Sequence, residues 1–292
     1  MSDKTAIRAA FDQAAHSYDA AAALQREVAE RMAERLAIIR LEPYAVLDAG
    51  CGTGYGGLLL QRRFPVARLI ELDLAPAMLR VARARQPAGW ARQLARLKGR
   101  RFPWQVCGDI ESLPLADESV DCIWSSLALQ WCETPDAAFA EAMRVLRPGG
   151  LLLFSTLGPD TLKELRTAFA GVDAHSHVNR FIDMHDLGDA LGRAGFSAPV
   201  MEMEMLTMTY ATVREVLADL KGIGAHNLRD GRRPGLMGRQ AWRTMETAYE
   251  SFRRDGVLPA SYEVLYGHAW KSQANTNRML ADGRRVIELK VR

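Results

Sequence analysis

Residues Leu47–Gly57 read LDAGCGTGYGG and pack five glycines into the eight positions Gly50–Gly57. The apolar AVL before Asp48 reads as a short buried strand, and Leu58, Leu59 and Leu60 open a helix facing the core. A glycine turn between a strand and a helix lets a ligand approach the backbone and the helix N-terminus closely. Two registers are written into it. From Gly52 it reads G-x-G-x-x-G (Gly52, Gly54, Gly57), the fingerprint of a dinucleotide loop. From Asp48 it reads D-x-G-x-G-x-G through Gly50, Gly52 and Gly54. Asp48 breaks the tie, because a carboxylate at the strand end repels a pyrophosphate and suits a ligand that carries an ammonium group.

Outward from the loop the chain alternates strand and helix. ARLIELDL is a second strand, and APAMLRVARAR a helix with Pro76 near its first turn. RFPWQVCGD and SVDCIWSSL are third and fourth strand regions. Thr134-Pro135-Asp136 opens a helix whose Phe139, Met143 and Leu146 share a face, Pro148-Gly149-Gly150 stops it, and LLLFST is a fifth strand. This rhythm predicts βαβ units and a doubly wound, mainly parallel α/β sheet. Before the loop, residues 5–41 read as helix, with Val28, Met32, Leu36 and Ile39 on one face. After Thr156 the reading is a helix over 183–194, an alternating strand VMEMEML, helices over 212–223 and 238–254, and a closing strand SYEVLYGHAW.

Three acids fall at the C-terminal ends of successive strands. Asp48 faces the ammonium. Asp73 is placed to accept hydrogen bonds from two ribose hydroxyls, with Leu74 beside it. Asp109 can accept an adenine amino group while Ile110 covers the ring. With the glycine loop of Gly50, Gly52 and Gly54, they line one crevice edge of an open α/β sheet and point to S-adenosylmethionine as cofactor.

The bulk numbers set limits. A chain of 292 residues, 48% hydrophobic and 25% charged, has the makings of an ordinary folded core. The net charge of +3 does not by itself imply nucleic acid. Cys51, Cys107, Cys122 and Cys132 form no C-x-x-C pair and read as reduced thiols. The first residues lack an apolar targeting segment, and no run of 18 apolar residues occurs. A cytoplasmic protein with no membrane partner is expected. His175 and His177 form H-x-H without an apparent third ligand, so no metal is expected.

D-x-G-x-G-x-G, LDLAPAML, GDIESLPLADESVD and EAMRVLRPGG together resemble the class I S-adenosylmethionine-dependent methyltransferases. The resemblance covers residues 45–155 and implies a Rossmann-like, seven-stranded, mainly parallel sheet with one antiparallel strand near the edge. SYEVLYGHAW would be that strand. Further stretches, among them AFDQAAHSYDAAAALQREVAERM, STLGPDTLKELRTAF and HVNRFIDMHDLGDALGRAGF, resemble the malonyl-[acyl-carrier protein] O-methyltransferases of biotin synthesis. The implied organisation is an N-terminal helical lid (1–41), a methyltransferase domain (42–270) with a helical insertion at about 205–256, and a poorly ordered tail (271–292). The implied reaction esterifies the free carboxylate of a malonyl thioester, which primes pimeloyl synthesis.

That chemistry assigns candidate roles. A carboxylate is already anionic near pH 7, so it needs positioning more than a base. Arg180, in HVNRF, offers a bidentate fork for it. Tyr18, on the N-terminal helix, offers a phenolic hydrogen bond, and Gln130 and Trp131 follow the fourth strand, where acceptor and methyl would meet. Arg26 could pair with the cofactor's carboxylate. An acyl-carrier protein carrying malonyl, or malonyl-CoA, is the expected partner, and two basic stretches (92–101 and 221–243) suit an acidic carrier. No RNA-binding motif accompanies them. A small-molecule methyltransferase of the same fold stays open as an alternative. So does a protein-arginine-modifying assembly factor, to which DLGDALGRAGF and the segment after it are also similar.

Overall fold

A computed structural model describes residues 4–97, 99, 101–173, 175, 177–223 and 238–273. Its strands are β1 (Ala45–Ala49), β2 (Arg68–Asp73), β3 (Trp104–Cys107), β4 (Val120–Ser126), β5 (Leu146–Leu157), β6 (Ser197–Tyr210) and β7 (Leu258–Trp270). Its helices are α1 (Lys4–Ala14), α2 (Tyr18–Ala21), α3 (Ala23–Ile38), α4 (Tyr55–Arg63), α5 (Pro76–Ala84), α6 (Gly89–Leu97), α7 (Pro135–Val145), α8 (Lys163–Ala170), α9 (Met184–Arg193), α10 (Val213–Gly222) and α11 (Arg239–Glu250).

The strands form one seven-stranded sheet in the order β3-β2-β1-β4-β5-β7-β6. β1 to β5 run parallel, and β7 is antiparallel to both β5 and β6. SYEVLYGHAW lies within β7, the antiparallel strand next to the edge, as the resemblance implied. β1 is buried along its whole length, as a parallel strand covered on both faces must be. Alternate residues serve the two layers. Val46 joins a core with Met32, Leu36 and Leu60, while Leu47 joins one with Phe139, Leu152 and Leu191.

The helix expected over 5–41 is three pieces. Ser17 turns its amide and hydroxyl back onto the Ala14 carbonyl at 3.0 and 3.2 Å, closing α1. Ala15 then packs against Ala77 and Met78 beside Phe11 and Tyr18, so α1 folds across the start of α5 instead of continuing along α3. In α3 the expected face holds: Val28, Met32 and Leu36 are fully buried against the sheet layer. The alternating strand is longer than VMEMEML and runs to Tyr210, so the intervening helices begin at Val213. α8 was not anticipated. Its buried Glu164 accepts from the Ser261 amide and hydroxyl (3.1 and 2.5 Å) and ties the helix to β7. The expected tail lies, from residue 274 on, outside the described residues.

Candidate functional site

The glycine loop leaves β1 at the carboxyl edge of the sheet and enters α4 at Tyr55. The Gly50 and Cys51 amides donate to the Leu72 carbonyl at 2.8 and 2.9 Å, which pins the loop to the end of β2. Gly50 (φ +80°) admits no side chain, since a Cβ there would lie 2.4 Å from that of Ala128. Gly52 (φ +53°) differs, because a Cβ there would meet nothing within 4 Å and would stand in the open crevice. The third glycine of the G-x-G-x-x-G register has a local cause: a Cβ on Gly57 would come within 2.2 Å of Glu71 Oε1. Glu71 is a buried carboxylate on β2 that accepts from Gln105 Nε2 at 3.0 Å. Gly57 therefore makes room for a protein side chain, not for a ligand. Gly57→Ala is expected to cost about 1–3 kcal/mol of stability by overpacking, and Glu71→Ala in the same chain should return most of it. Thermal melts of the two single variants and the double variant test this; simple additivity would contradict it.

Asp48 stands in register between Glu71 and Trp124. It is 2% exposed, and its Oδ2 and the nearby Trp124 Nε1 are buried without a hydrogen-bond partner among the described residues. Burial, then the neighbouring Glu71 and Asp73, push its carboxyl well above the usual range, against the Gly57 amide that favours ionisation. A buried acid without a counter-cation, opening onto a depression that Arg26 and Tyr18 also line, is arranged to receive a positive group.

Asp73 lies on the other side of the loop. Its Oδ2 accepts from the Gly52 amide and its Oδ1 from the Ala75 amide, both at 2.8 Å. Burial raises it to about 6, with the two amides opposing. Asp109 sits one strand further. It accepts from the Glu111 amide at 2.9 Å and pairs with the Lys4 ammonium of α1, which also reaches Glu111. Leu72, Leu74, Met78 and Ile110 give flat apolar walls between these acids. The cavity and its open mouth together span about 1180 Å³ of empty space.

α1 and α2 roof this cavity. Phe11 stacks edge-on to Trp131 with centroids 5.2 Å apart, Asp12 accepts from the Ala77 amide at 2.7 Å, and Asp19 holds Thr53 Oγ1 and Arg85. Tyr18 lines both the main cavity and the depression by Asp48. Burial, then Asp73 and Asp19, hold its phenol far above its ordinary value, so it stays a neutral O–H donor. The cavity wall also includes Gln130, Trp131, Asn179, Phe181 and Tyr262. Gln130 is held by the Leu127 carbonyl at 2.7 Å, and Asn179 Oδ1 is buried without a partner among the described residues. Tyr210 links to both Tyr262 and Asp219, the latter at 2.7 Å.

The expected residues are thus gathered with two exceptions, Gly54 and Arg180. Tyr18, Gly50, Gly52, Asp73, Leu74, Asp109, Ile110, Gln130 and Trp131 line the main cavity, and Arg26 and Asp48 the adjoining depression. Gly54, at φ +83°, caps α4 behind the loop. Arg180 is exposed and off the cavity wall, while its neighbours Asn179 and Phe181 are on it. In an extended segment, residues two apart share a face and the one between points away. His177 stacks on Phe169 at 3.7 Å and bonds Asp173 at 2.8 Å; no cluster able to hold a metal occurs among the described residues.

Residues 47–154 match the family model for a methyltransferase domain. A malonyl-[acyl-carrier protein] O-methyltransferase of Laribacter hongkongensis is 60% identical over 98% of this chain and 95% of its own length. The enzyme of the same name from Gallionella capsiferriformans is 56% identical over 98% and 96%. The chain belongs to the malonyl-[acyl-carrier protein] O-methyltransferase family. It is an O-methyltransferase, and its domain implies the use of S-adenosylmethionine. Solved structures agree on the fold. The YcgJ protein of Bacillus subtilis superposes with a TM-score of 0.56 at 18% identity, covering 85% of this chain and 99% of its own. A protein of Bacillus halodurans C-125 gives 0.55 at 20% identity, covering 82% and 97%.

Several site residues of this family member escaped the reading from sequence. Lys4 and Phe11 lie far from the rest of the cavity wall in the chain and reach Asp109, Glu111 and Trp131 only because α1 folds back. Glu71 carried a visible cue, an acid inside the apolar run LIEL. Asn179 and Phe181 flank Arg180, and it is they that line the cavity.

Proposed function

We propose that this chain transfers the methyl group of S-adenosylmethionine to the free carboxylate of a malonyl thioester, with a malonyl-acyl-carrier protein as acceptor, in the cytoplasm and without a nucleic-acid or membrane partner. The observation that carries this reading is the near full-length identity to two relatives named for that reaction. The cavity wall is consistent with it: among the described residues lining it there is no histidine, its single lysine, Lys4, is held between two carboxylates, and its acids Asp73, Asp109 and Glu111 are each already engaged by backbone amides or by Lys4. A hydroxyl or amine acceptor would need a base to take its proton. A carboxylate needs none. The relatives' names agree with this choice, and no described helix is long and apolar enough to cross a membrane.

The cofactor would supply an electrophilic methyl group on a sulfonium. The residues present fit it. Asp48, whose Oδ2 lacks a partner, would take the ammonium and Arg26 the carboxylate of the methionyl end. Gly50 and Gly52 let the backbone approach, and Gly54 turns the loop into α4. Asp73 would accept from the ribose hydroxyls, and Asp109 with Leu74 and Ile110 would hold the adenine. Asp109 would share its acceptor with Lys4, which latches the roof formed by α1. Tyr18, kept protonated, donates to the acceptor carboxylate, while Gln130 and Trp131 shape the space around it. Arg180, exposed and between the wall residues Asn179 and Phe181, would offer a cation to the carboxylate as it arrives.

Tyr18→Phe is expected to lower kcat/KM for the acceptor about tenfold, the worth of one hydrogen bond to a charged group. Arg180→Ala should raise the acceptor KM by a similar factor; unchanged constants would remove the arginine from the reading. The pH profile gives a third check. Asp73 must be ionised to serve the ribose, and its carboxyl is raised to about 6. Cofactor KM should therefore climb as pH falls from 7 to 5, through that value. Above pH 7, kcat should stay flat to pH 9, because the acceptor is already ionised and no base titrates. A kcat that rises tenfold per pH unit would reveal a base-dependent acceptor instead.

The test of the function is a substrate series. With labelled cofactor, malonyl-carrier protein should take up methyl, and acetyl-carrier protein, which lacks the carboxylate, should take up none. Equal labelling of both, or labelling of an arginine peptide in their place, would overturn it.

A further inference from the structure

Resting on the reading of a carrier-bound acceptor, we propose that the face built by α10 and the first turns of α11 is where the acidic carrier protein docks. Arg214 on α10 and Arg239 and Arg243 on α11 line one open groove with Trp242 and Glu246. Arg239 and Arg243 stand four apart and so share a helix face. All three arginines are exposed, as is Lys221 at the end of α10. None of these four cations pairs with a described carboxylate. Other exposed arginines do: Arg193 bonds Asp136 and Arg253 bonds Glu250, at 2.8 and 2.7 Å. The groove thus gathers three guanidinium groups that no described carboxylate pairs, against one acid, Glu246, which is engaged by Trp242. The Arg214 guanidinium lies over the Trp242 ring at 5.0 Å, and Trp242 Nε1 donates to Glu246 at 3.1 Å, so the aromatic floor is fixed.

Position matters as much as charge. α10 carries Arg214 in its first turn, and Leu220 and, just past its end, Ile223 on the wall of the acceptor cavity. At 1.5 Å per residue, Arg214 and Ile223 are ~14 Å apart along the axis, a span for an extended thioester arm. The end of α10 also presses on α2, where a Cβ on Gly222 would sit 2.8 Å from that of Ala21. α2 begins with Tyr18. A carrier seated on α10 therefore bears on the helix that presents the candidate carboxylate donor. The other basic stretch is badly placed. Arg92 and Arg101 precede β3, which starts at Trp104, so they lie at the amino ends of the strands, while the cavity opens at the carboxyl ends. An acidic protein fits the groove better than RNA, whose bases would need several exposed aromatic platforms where this groove offers Trp242 alone.

The test compares two acceptors on the full chain: malonyl-carrier protein and malonyl-pantetheine, which has the same thioester and no protein. The variant Arg214→Glu/Arg239→Glu/Arg243→Glu should lower kcat/KM for the carrier at least ~10-fold at low salt, with the loss shrinking as salt rises. Malonyl-pantetheine turnover and the melting temperature should be unchanged. The control Arg92→Glu/Arg101→Glu should leave both acceptors unaffected. An undiminished carrier rate in the triple variant, an equal loss with both acceptors, or a carrier-specific loss confined to the control would overturn the docking site. So would a structured RNA that the wild type binds more tightly than the carrier and the triple variant releases. Absence of transfer from the wild type to either malonyl thioester would sink the acceptor reading instead, and is thereby distinguishable.

Discussion

Gly52→Val is expected to remove measurable cofactor binding and methyl transfer while the protein still folds. Gly52 is the loop residue whose missing side chain faces open space, and it lines both the main cavity and the depression beside Asp48. A branched side chain there would occupy the ligand's volume without striking the protein. Its left-handed backbone (φ +53°) should cost about 1–2 kcal/mol of stability. The loss of affinity should exceed ~100-fold, or about 2.7 kcal/mol. Titration of S-adenosylhomocysteine by calorimetry, with a thermal melt as the folding control, reads both numbers. Gly50→Val makes the contrast: it strikes Ala128 and should fail by misfolding. Retained affinity in a folded Gly52→Val chain would mean that the ligand does not cross this loop.

Asp73→Asn comes second in size. The carboxylate is fixed by the Gly52 and Ala75 amides, so its free lone pairs point at a defined place. The amide keeps the shape, exchanges one acceptor for a donor, and turns that donor toward an N–H. Hydrogen bonds to a charged group are worth about 1.5–3 kcal/mol, so the cofactor Kd should rise roughly 10- to 150-fold. The low-pH rise in cofactor KM should change with it, losing the part that Asp73 contributes and keeping the part set by Asp48, whose carboxyl is also raised. A Kd within twofold of wild type, or an unchanged low-pH limb, would take Asp73 out of the cofactor site.

The parallel part of the fold and the cofactor half of the site were legible because both are local. A strand, a glycine turn and a helix lie within 20 residues around Asp48, and each acid sits at the end of its own strand. The acceptor half is built from distant segments. Asn179 and Phe181 arrive from the stretch before α9, Leu220 and Ile223 from α10, and Tyr262 from β7. No spacing in the chain announces that they meet. The roof was misjudged in shape for a similar reason. A helical period continues through residues 5–41, but Ser17 caps α1, and the contact of Ala15 and Phe11 with Met78 decides its direction. Arg180 shows the limit of reasoning by residue type. An arginine suits a carboxylate wherever it stands, yet the backbone presents its two neighbours to the cavity. The choice between glycine registers gains a second reason besides Asp48, because the competing third glycine serves the buried carboxyl of Glu71.

The central claim is that the nucleophile is a carboxylate of a malonyl thioester. Its most direct measurement is the fate of labelled methyl after incubation with cofactor and malonyl-carrier protein. The label should enter the carrier fraction and leave it quantitatively as methanol on mild alkaline treatment, as a methyl ester does. Label that stays bound through that treatment, or that never reaches the malonyl carrier, would contradict the account.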